Sequence, residues 1–538
     1  MQTPANPAPF DYLIIGGGSA GCVLAARLSE DPQVRVALLE AGPPDRNVLI
    51  HCPLGIAALA LTGQANWKFE TIPQAGLNGR RGYQPRGKVL GGSSSINAMI
   101  YVRGQREDYD HWAAEGNPGW SFDEVLPYFR RAENNARGAN AFHGIGGPLH
   151  VMDLISPNPL GARFVEAARQ VGYPFNPDFN GSNQEGVGPY QVTHKNGERC
   201  SAAKAYLTPH LTRANLLVLT GAHTSRILMD QRRAIGVEYV QQGQTRQLLV
   251  RREVLLCAGA LQSPQLLMLS GIGPGAQLQA HGIETVHDLP GVGQQLHDHM
   301  DVVQVLEAPH LKESIGISAR GALQTAKAIL EWRRYRTGLL TSNAAEAGGF
   351  IKSATTEATP DLQLHFVVAK LVNHARTLVL GHGVSSHLCV LRPLSRGSVQ
   401  LASPDPFAAP LIDPNFLGHP DDLRRLVLGF RHMRKLLQQP ALASLGTQES
   451  ARSACIHSDA EIEQFIRNYG DTIYHPVGSC RMGPGALDVV DARLKVHGVQ
   501  GLRVVDASIM PRIVSGNTNA PVIMIAEKAA DMIKAEAV

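Results

Sequence analysis

Residues 12–21 of this 538-residue chain read Tyr-Leu-Ile-Ile-Gly-Gly-Gly-Ser-Ala-Gly, a short apolar run that breaks into a glycine cluster. Apolar residues then recur at helical spacing as far as Leu28, and a second apolar run covers residues 34–39. This order predicts a strand, a turn, a helix and a second strand. The chain therefore opens like an α/β nucleotide-binding fold.

The glycine cluster has the spacing that holds a diphosphate. Gly16 permits the tight turn, Gly18 lets the backbone approach the phosphates, and Gly21 allows close packing of a helix whose first turn, Ser19 and Ala20, attracts anions. Glu40 follows 19 residues after Gly21, where a carboxylate can accept hydrogen bonds from a ribose diol. The alternative is a plain turn, and the pattern alone does not distinguish NAD from FAD.

Size and composition narrow the class of protein. A chain of this length predicts two domains or one large composite. The 50 basic and 46 acidic residues are spread along the sequence, which argues against a nucleic-acid partner. Seven cysteines without a C-x-x-C spacing argue against a disulfide framework or a zinc site, and residues 1–9 carry no recognisable secretory signal. We expect a soluble, cytoplasmic protein.

A second group of polar residues lies near the other end of the chain. His475 precedes Pro476, 454 residues after Gly21, and Gly516 is followed by Asn517, Thr518 and Asn519. Histidine can take a hydroxyl proton near neutral pH, and an asparagine amide can donate to a developing alkoxide. The alternatives are a core histidine and a simple turn. No Gly-x-Ser-x-Gly elbow is present, so a hydrolase triad lacks its nucleophile.

The sequence His-Asp-His at 297–299 has the look of a metal pair. Two histidines at positions i and i+2 do not share a helix face, so we expect no metal site.

Two longer stretches resemble the signatures of the glucose-methanol-choline (GMC) oxidoreductase family, especially its bacterial choline dehydrogenase and alkanol dehydrogenase branch. Residues 87–97 read Gly-Lys-Val-Leu-Gly-Gly-Ser-Ser-Ser-Ile-Asn, and residues 259–273 read Gly-Ala-Leu-Gln-Ser-Pro-Gln-Leu-Leu-Met-Leu-Ser-Gly-Ile-Gly. The likeness extends over nearly the whole chain, including residues 291–299 and 506–511.

The resemblance implies an α/β fold with a Rossmann-like FAD-binding domain and a second, α+β substrate-binding (cap) domain built on an antiparallel sheet. The expected FAD-binding domain is discontinuous and comprises residues 9–155, 215–308 and 466–538. The expected substrate-binding domain comprises residues 156–214 and 309–465.

The resemblance also implies the residues that contact FAD. Together with the glycine turn they are Gly16, Gly18, Ser19, Ala20, Gly21, Glu40, Ala41, Trp67, Gly91, Gly92, Ser93, Asn97, Ala98, Thr224, Ala258, Gly259, Asp506, Ala507 and Asn519. In choline oxidase relatives a histidine of the first signature carries FAD covalently. Ile96 stands at that position here, so we expect FAD to be bound non-covalently.

The substrate side is less well defined by the sequence. Residues 341–350 resemble the family strand that lines the substrate cavity, where Asn343 or Glu346 could contact the substrate; Glu346 could equally lie on the surface. Aromatic residues make up only 6% of the chain, which disfavours an aromatic cage for a quaternary ammonium group. Residues 411–440 predict a core-packed helix with a basic face, or, as the alternative, a peripheral contact at the inner face of a membrane.

These features predict FAD-dependent oxidation of a primary alcohol to the aldehyde, with His475 as the base, Asn517 beside the substrate oxygen, and hydride transfer to flavin N5. The electron acceptor would be a quinone, another carrier or O₂. Four alternatives stay open: an alcohol oxidase, a hydroxynitrile lyase-like protein without net redox chemistry, a non-catalytic flavin protein, and a nicotinamide dehydrogenase. The sequence does not fix the oligomeric state.

Overall fold

The computed structural model describes residues 9–536. Residues 1–8, which belong to the segment without a recognisable secretory signal, and the last two residues of the expected FAD-binding domain lie outside this range. The strands are β1 (Phe10–Ile15), β2 (Val36–Glu40), β3 (Phe69–Glu70), β4 (Tyr83–Gln84), β5 (Glu133–Asn135), β6 (Leu149–Val151), β7 (Gly186–Pro189), β8 (His194–Lys195), β9 (Glu198–Arg199), β10 (Leu216–Thr220), β11 (Ala222–Asp230), β12 (Arg233–Gln241), β13 (Gln244–Leu256), β14 (Ile272–Gly273), β15 (His287–Asp288), β16 (Gln294–Leu296), β17 (Met300–Glu307), β18 (Ala345–Ile351), β19 (Leu362–Val367), β20 (Gly383–Val390), β21 (Gly397–Gln400), β22 (Leu411–Asp413), β23 (Gln448–Glu449), β24 (Asp471–Thr472) and β25 (Leu502–Val504).

The α-helices are α1 (Ser19–Leu28), α2 (Val48–His51), α3 (Ile56–Thr62), α4 (Arg106–Ala114), α5 (Phe122–Ala132), α6 (Pro159–Val171), α7 (Ser263–Leu269), α8 (Gly275–Ala280), α9 (Ala319–Tyr335), α10 (Pro420–Leu437), α11 (Pro440–Ala443), α12 (Ala451–Ala454), α13 (Asp459–Tyr469) and α14 (Asn519–Glu536). None of the helices in residues 9–536 is long and apolar enough to cross a membrane.

The first large sheet carries the predicted nucleotide-binding unit. Its strand order is β10-β2-β1-β13-β12-β11, with β25 also beside β13. Strands β10, β2, β1, β13 and β25 pair in parallel, whereas β11 and β12 form an antiparallel extension. The predicted order of strand, turn, helix and strand is confirmed in β1, α1 and β2, and both strands are buried along their whole length, as central parallel strands are.

The second large sheet is antiparallel, with the order β23-β17-β20-β19-β18-β7 and β24 also paired with β17. Helices α6, α10 and α13 pack against it through one apolar cluster. The predicted combination of a Rossmann-like sheet and an antiparallel cap sheet is therefore confirmed. Strands β17 and β24 belong to the antiparallel sheet, because β17 pairs with β20 and β24 pairs with β17. The expected domain boundaries place both strands in the FAD-binding domain.

Helix α10 lies within the stretch 411–440 that suggested either a core helix or a membrane contact. Its apolar side is buried, and three arginines of its basic side pair with carboxylates: Arg424 with Asp421, Arg431 with Asp459, and Arg434 with Glu449. These contacts are those of a core-packed helix with a solvated face.

Candidate active site

One cavity of about 690 Å³ runs from the glycine turn of the first sheet to His475. Its walls come from both large sheets and from the segments that join them. A cavity of this size lies within the range of cofactor and ligand sites.

The glycine turn has the local geometry that the sequence predicts. Gly16 has φ +100°, and a Cβ there would lie 2.5 Å from the Cys257 carbonyl oxygen. A Cβ on Gly21 would lie 1.9 Å from the Gly16 carbonyl oxygen, so only glycine lets α1 pack this closely. At Gly18 the nearest atom to an added Cβ is 4.0 Å away, because this position opens into the cavity. Together with Ser19 and Ala20, it presents the N-terminus of α1 to the cavity.

Glu40 ends β2 and lines the same part of the cavity, followed by Ala41. Its carboxylate accepts hydrogen bonds from the backbone N–H groups of Gly17 (2.9 Å) and Gly42 (2.7 Å). Burial raises the pKa of Glu40 to about 7, although these two donors act in the opposite direction. The carboxylate is thus held in one orientation beside the glycine turn.

The first family-like stretch forms the opposite wall. Gly92, Ser93, Asn97 and Ala98 line the cavity, and a Cβ on Gly92 would lie 2.7 Å from the Gly18 Cα. Gly91 does not line it but donates its N–H to the Gly17 carbonyl oxygen (2.7 Å), which joins the two glycine loops.

The remaining expected cofactor contacts also meet this cavity: Trp67, Thr224, Ala258, Gly259, Asp506, Ala507 and Asn519. The Asp506 carboxylate accepts from the N–H of Gly259 (2.8 Å), and the Asn519 side-chain oxygen accepts from the Ser19 hydroxyl (2.7 Å). Backbone donors at a helix N-terminus, a fixed carboxylate and a long apolar-walled channel are the chemistry that suits a dinucleotide such as FAD.

His475 is anchored through its backbone at the other end of the cavity. Its N–H donates to the Asp298 carboxylate (2.8 Å), and the preceding Tyr474 has φ +78° with its carbonyl oxygen accepting from Arg86 (2.7 Å). Burial raises the pKa of Asp298 to about 6. These contacts hold the imidazole against the cavity wall.

The first of two hydrogen-bond chains that end on this ring passes through His299. Its Nε2 lies 2.9 Å from the Leu391 carbonyl oxygen, which can only accept, so Nε2 carries the proton. A neutral His299 must then accept at Nδ1, which lies 3.0 Å from Nδ1 of His475. This chain therefore requires a proton on His475 Nδ1 and a lone pair on its Nε2.

The second chain passes through Asn517 and reaches the same conclusion. Tyr190 donates its hydroxyl to the Leu364 carbonyl oxygen (2.7 Å) and accepts from the Gln363 amide (3.2 Å). Gln363 also donates to the side-chain oxygen of Asn517 (3.1 Å), which turns the Asn517 amide nitrogen towards His475 Nε2 at 3.2 Å. The amide donates, so Nε2 accepts.

The surroundings keep these rings neutral. Burial lowers the pKa of His475 well below its usual value, and the neighbouring His299 and His365 lower it further. Burial also lowers the pKa of His299 to about 4 and that of His365, which lines the cavity, to about 3. His475 Nε2 is consequently an unprotonated base at neutral pH.

The structure separates the two expected substrate contacts. Asn343 lines the cavity and donates to the Ala98 carbonyl oxygen (2.8 Å). Glu346 is only 3% exposed, so the surface alternative is wrong, and it does not line the cavity. Its contact with a substrate stays a prediction. Its carboxylate accepts from the Ser342 hydroxyl and from the Asn158 N–H (both 2.5 Å).

Sequence reasoning missed several residues of the site. Asp298 and His299 belong to the His-Asp-His stretch, for which the sequence suggests a metal pair or a likeness to the family but no role beside His475. Gln363 and His365 lie two positions apart on β19, and that alternation of polar side chains on a buried strand was the available signal. Of the second family-like stretch and the residue before it, the sequence predicts only Ala258 and Gly259 as cofactor contacts, and six further residues also line the cavity: Ala260, Leu261, Gln262, Gln265, Leu266 and Leu269.

Known proteins resemble this chain along nearly its whole length. The GMC oxidoreductase family matches residues 10–301 and 393–526. The alcohol dehydrogenase [acceptor] of Pseudomonas putida is 47% identical over 527 residues, which cover 97% of this chain and 95% of the relative. The mitochondrial choline dehydrogenase of Mus musculus is 44% identical, with 98% and 89% covered. An FAD-dependent oxidoreductase from Chaetomium thermophilum, solved in complex with a small fragment, superposes with a TM-score of 0.89 at 29% identity and 98% and 99% coverage. With its fold, its cavity and these matches, the chain belongs to the GMC oxidoreductases.

Proposed function

We propose that this protein is an FAD-dependent dehydrogenase that oxidises primary alcohols to aldehydes. The observation that carries the proposal is the unprotonated Nε2 of His475, which faces an amide donor of Asn517 at 3.2 Å in the same cavity as the glycine turn. A base and a fixed donor at one point are what removal of a hydroxyl proton requires.

The residues around the cavity suit a non-covalently bound FAD. The N-terminus of α1 with Gly18 would take the diphosphate, Glu40 the ribose diol, and the Gly92–Ser93 loop the flavin end. Ile96 lines the cavity and has no atom that could form a covalent link. When bound, FAD accepts the hydride from the carbinol carbon at N5.

The side chains of the protein handle the proton and the substrate oxygen. We assign His475 Nε2 as acceptor of the hydroxyl proton, because both hydrogen-bond chains leave this nitrogen unprotonated and a bound alcohol would replace the Asn517 amide as the donor to its lone pair. The Asn517 amide then donates to the oxygen as negative charge develops, without titrating itself. Asn519, bonded to Ser19, belongs to the cofactor side.

The chemistry of the lining favours an uncharged aliphatic alcohol over choline. Ile100, Ala345, Val367, Ala369 and Leu371 contribute apolar walls on the side of the antiparallel sheet. Among the described residues that line the cavity, only Glu40 and Asp506 bear carboxylates, and both lie beside the expected nucleotide. Glu346, the carboxylate that could have paired with a quaternary ammonium, has its oxygens bonded elsewhere.

We further propose that electrons leave to a quinone or another carrier, with O₂ as the alternative, and that the enzyme works in the cytoplasm. A reducing compartment agrees with the seven cysteines, all of which are free thiols and six of which are buried.

An anaerobic panel of alcohols monitored by flavin absorbance tests the proposal. Straight-chain primary alcohols should bleach the flavin of the wild type, choline should do so far more slowly, and His475→Ala should be reduced at least about 100-fold more slowly. Subsequent addition of O₂ or a soluble quinone identifies the acceptor. Absence of bleaching by any alcohol would refute the proposal and favour the lyase-like alternative.

A further inference from the structure

Three segments around the mouth of the cavity expose an unusual share of apolar surface. They cover residues 45–68, 308–340 and 368–382, which we call the mouth segments. The mouth segments contain only 72 of the 538 residues. They nevertheless contain nine of the 20 large apolar side chains that are exposed in residues 9–536. Exposed apolar residues concentrated in this way mark an interaction surface.

The mouth segments lie together and open into the cavity. Ile317 forms backbone bridges with Leu380 and Gly381, which joins the second segment to the third. Leu61, Ile317 and Leu378 each line the cavity and are also exposed, at 42%, 42% and 60%. The apolar surface is therefore continuous with the route to the active site.

Helix α9 shows which side of this surface faces outwards. Its buried residues are Gly321, Ala328 and Trp332, which share one face. At 3.6 residues per turn, Leu323 and Leu330 point about 180° away from that face. They are 59% and 70% exposed, so the apolar stripe that a surface helix normally turns to the core is here turned outwards.

Basic residues flank this apolar stripe. Lys327 and Arg334 lie on one side of Leu323 and Leu330 around the helix, and Arg333 lies on the other. The mouth segments together contain ten Lys and Arg against three Asp and Glu, a net charge of +7 in a chain whose total is +4. The rest of the chain is thus net negative, and positive charge is concentrated around the cavity mouth.

We propose that the mouth segments bind the surface of an anionic lipid bilayer, with Leu323, Leu330 and Leu380 inserted among the headgroups and the neighbouring basic residues paired with lipid phosphates. An apolar centre flanked by lysine and arginine is the arrangement of interfacial helices. The cavity would then open towards the membrane, where an apolar alcohol or a lipid-soluble acceptor is concentrated. This last consequence rests on the proposed function, whereas the membrane contact itself does not.

The test is co-sedimentation of the FAD-loaded enzyme with vesicles of phosphatidylglycerol and phosphatidylcholine, compared with phosphatidylcholine alone. The wild type should bind the anionic vesicles at least ten-fold more tightly, and high salt should weaken the binding. The triple variant Leu323→Gln, Leu330→Gln, Leu380→Gln should lose binding at least ten-fold. The matched control Ile145→Gln with Leu487→Gln, exposed apolar residues outside the mouth segments, should bind like the wild type.

Oxidation of a short, water-soluble alcohol with a soluble dye as acceptor keeps the two proposals separate. The triple variant should retain this activity within about two-fold, because its changes lie on exposed side chains. The membrane proposal is overturned if the wild-type protein binds neither kind of vesicle, or if the triple variant binds the anionic vesicles as tightly as the wild type. It is also overturned by concentration-dependent self-association that the triple variant abolishes while vesicle binding is absent, since the surface then joins two copies of the chain.

Discussion

Replacement of His299 tests whether the tautomer of His475 is set by its neighbours. In His299→Leu, the Nδ1–H of His475 loses the acceptor that now lies 3.0 Å away. Leaving a buried donor without a partner costs about 1–3 kcal/mol, and the unanchored ring can also place its proton on Nε2, where it blocks the base. We expect kcat/KM for alcohol oxidation to fall about 5- to 150-fold, since 1.36 kcal/mol corresponds to a factor of ten.

His299→Gln provides the matched control. A glutamine can accept from His475 through its side-chain oxygen and donate to the Leu391 carbonyl through its amide, as His299 does. We expect it to recover at least half of the lost free energy of activation. Retention of FAD should be unchanged in both variants, because His299 is not among the residues that line the cavity.

The assay is stopped-flow flavin reduction by a primary alcohol under anaerobic conditions, repeated across pH. At low pH, where His299 also becomes charged, it lowers the pKa of His475, so the acid limb of kcat/KM should move to higher pH in His299→Leu. The reasoning is refuted if His299→Leu reduces its flavin as fast as the wild type. It is also refuted if the glutamine and leucine variants are equally impaired and their pH profiles match that of the wild type.

Three further predictions concern pH, cofactor and stability. Because the pKa of His475 is lowered, its base form persists as the pH falls, so kcat/KM measured from pH 8 downwards should stay level until below pH 6.5. An acid limb of the pH profile centred at pH 7 or higher would contradict the assignment of His475 as the base. With Ile96 at the position of the linking histidine, acid precipitation should leave all FAD absorbance in the supernatant, and a yellow pellet would disprove non-covalent binding. Glu527 is fully buried and contacts two arginines and a tyrosine. The substitution Glu527→Leu should therefore lower the free energy of unfolding by about 3–5 kcal/mol. The half-exposed Asp531→Asn should cost less than about 1 kcal/mol, and equal melting temperatures for the two variants would contradict this account of the buried cluster.

The parts of the site that depend on local geometry could be predicted from the sequence. Gly16 and Gly21 are required by contacts within a few residues of the turn and with the adjacent strand, and Glu40 follows from the length of one helix and one strand. Such relationships repeat wherever a strand, a glycine turn and a helix occur in this order, so a spacing rule captures them.

Glu346 shows what a spacing rule leaves open. Its stretch was correctly placed beside the cavity, since Asn343 and Ala345 both line it. Successive side chains of a strand point to opposite faces, so the residue after Ala345 at the start of β18 turns away from the cavity. The sequence identified the strand but did not fix which of its faces met the cavity.

The groups that orient His475 could not be predicted because they come from distant parts of the chain. Leu364 lies on β19 and Leu391 directly follows β20, and their carbonyl oxygens end the two hydrogen-bond chains. Both strands belong to the antiparallel sheet, whereas the glycine turn and Glu40 belong to the parallel one. The parallel sheet thus shapes the cofactor end of the cavity, and the antiparallel sheet sets the protonation pattern of the base. Substitutions at Gln363 should accordingly slow alcohol oxidation without loss of FAD, whereas substitutions at Gly18 should release FAD while the two hydrogen-bond chains stay intact.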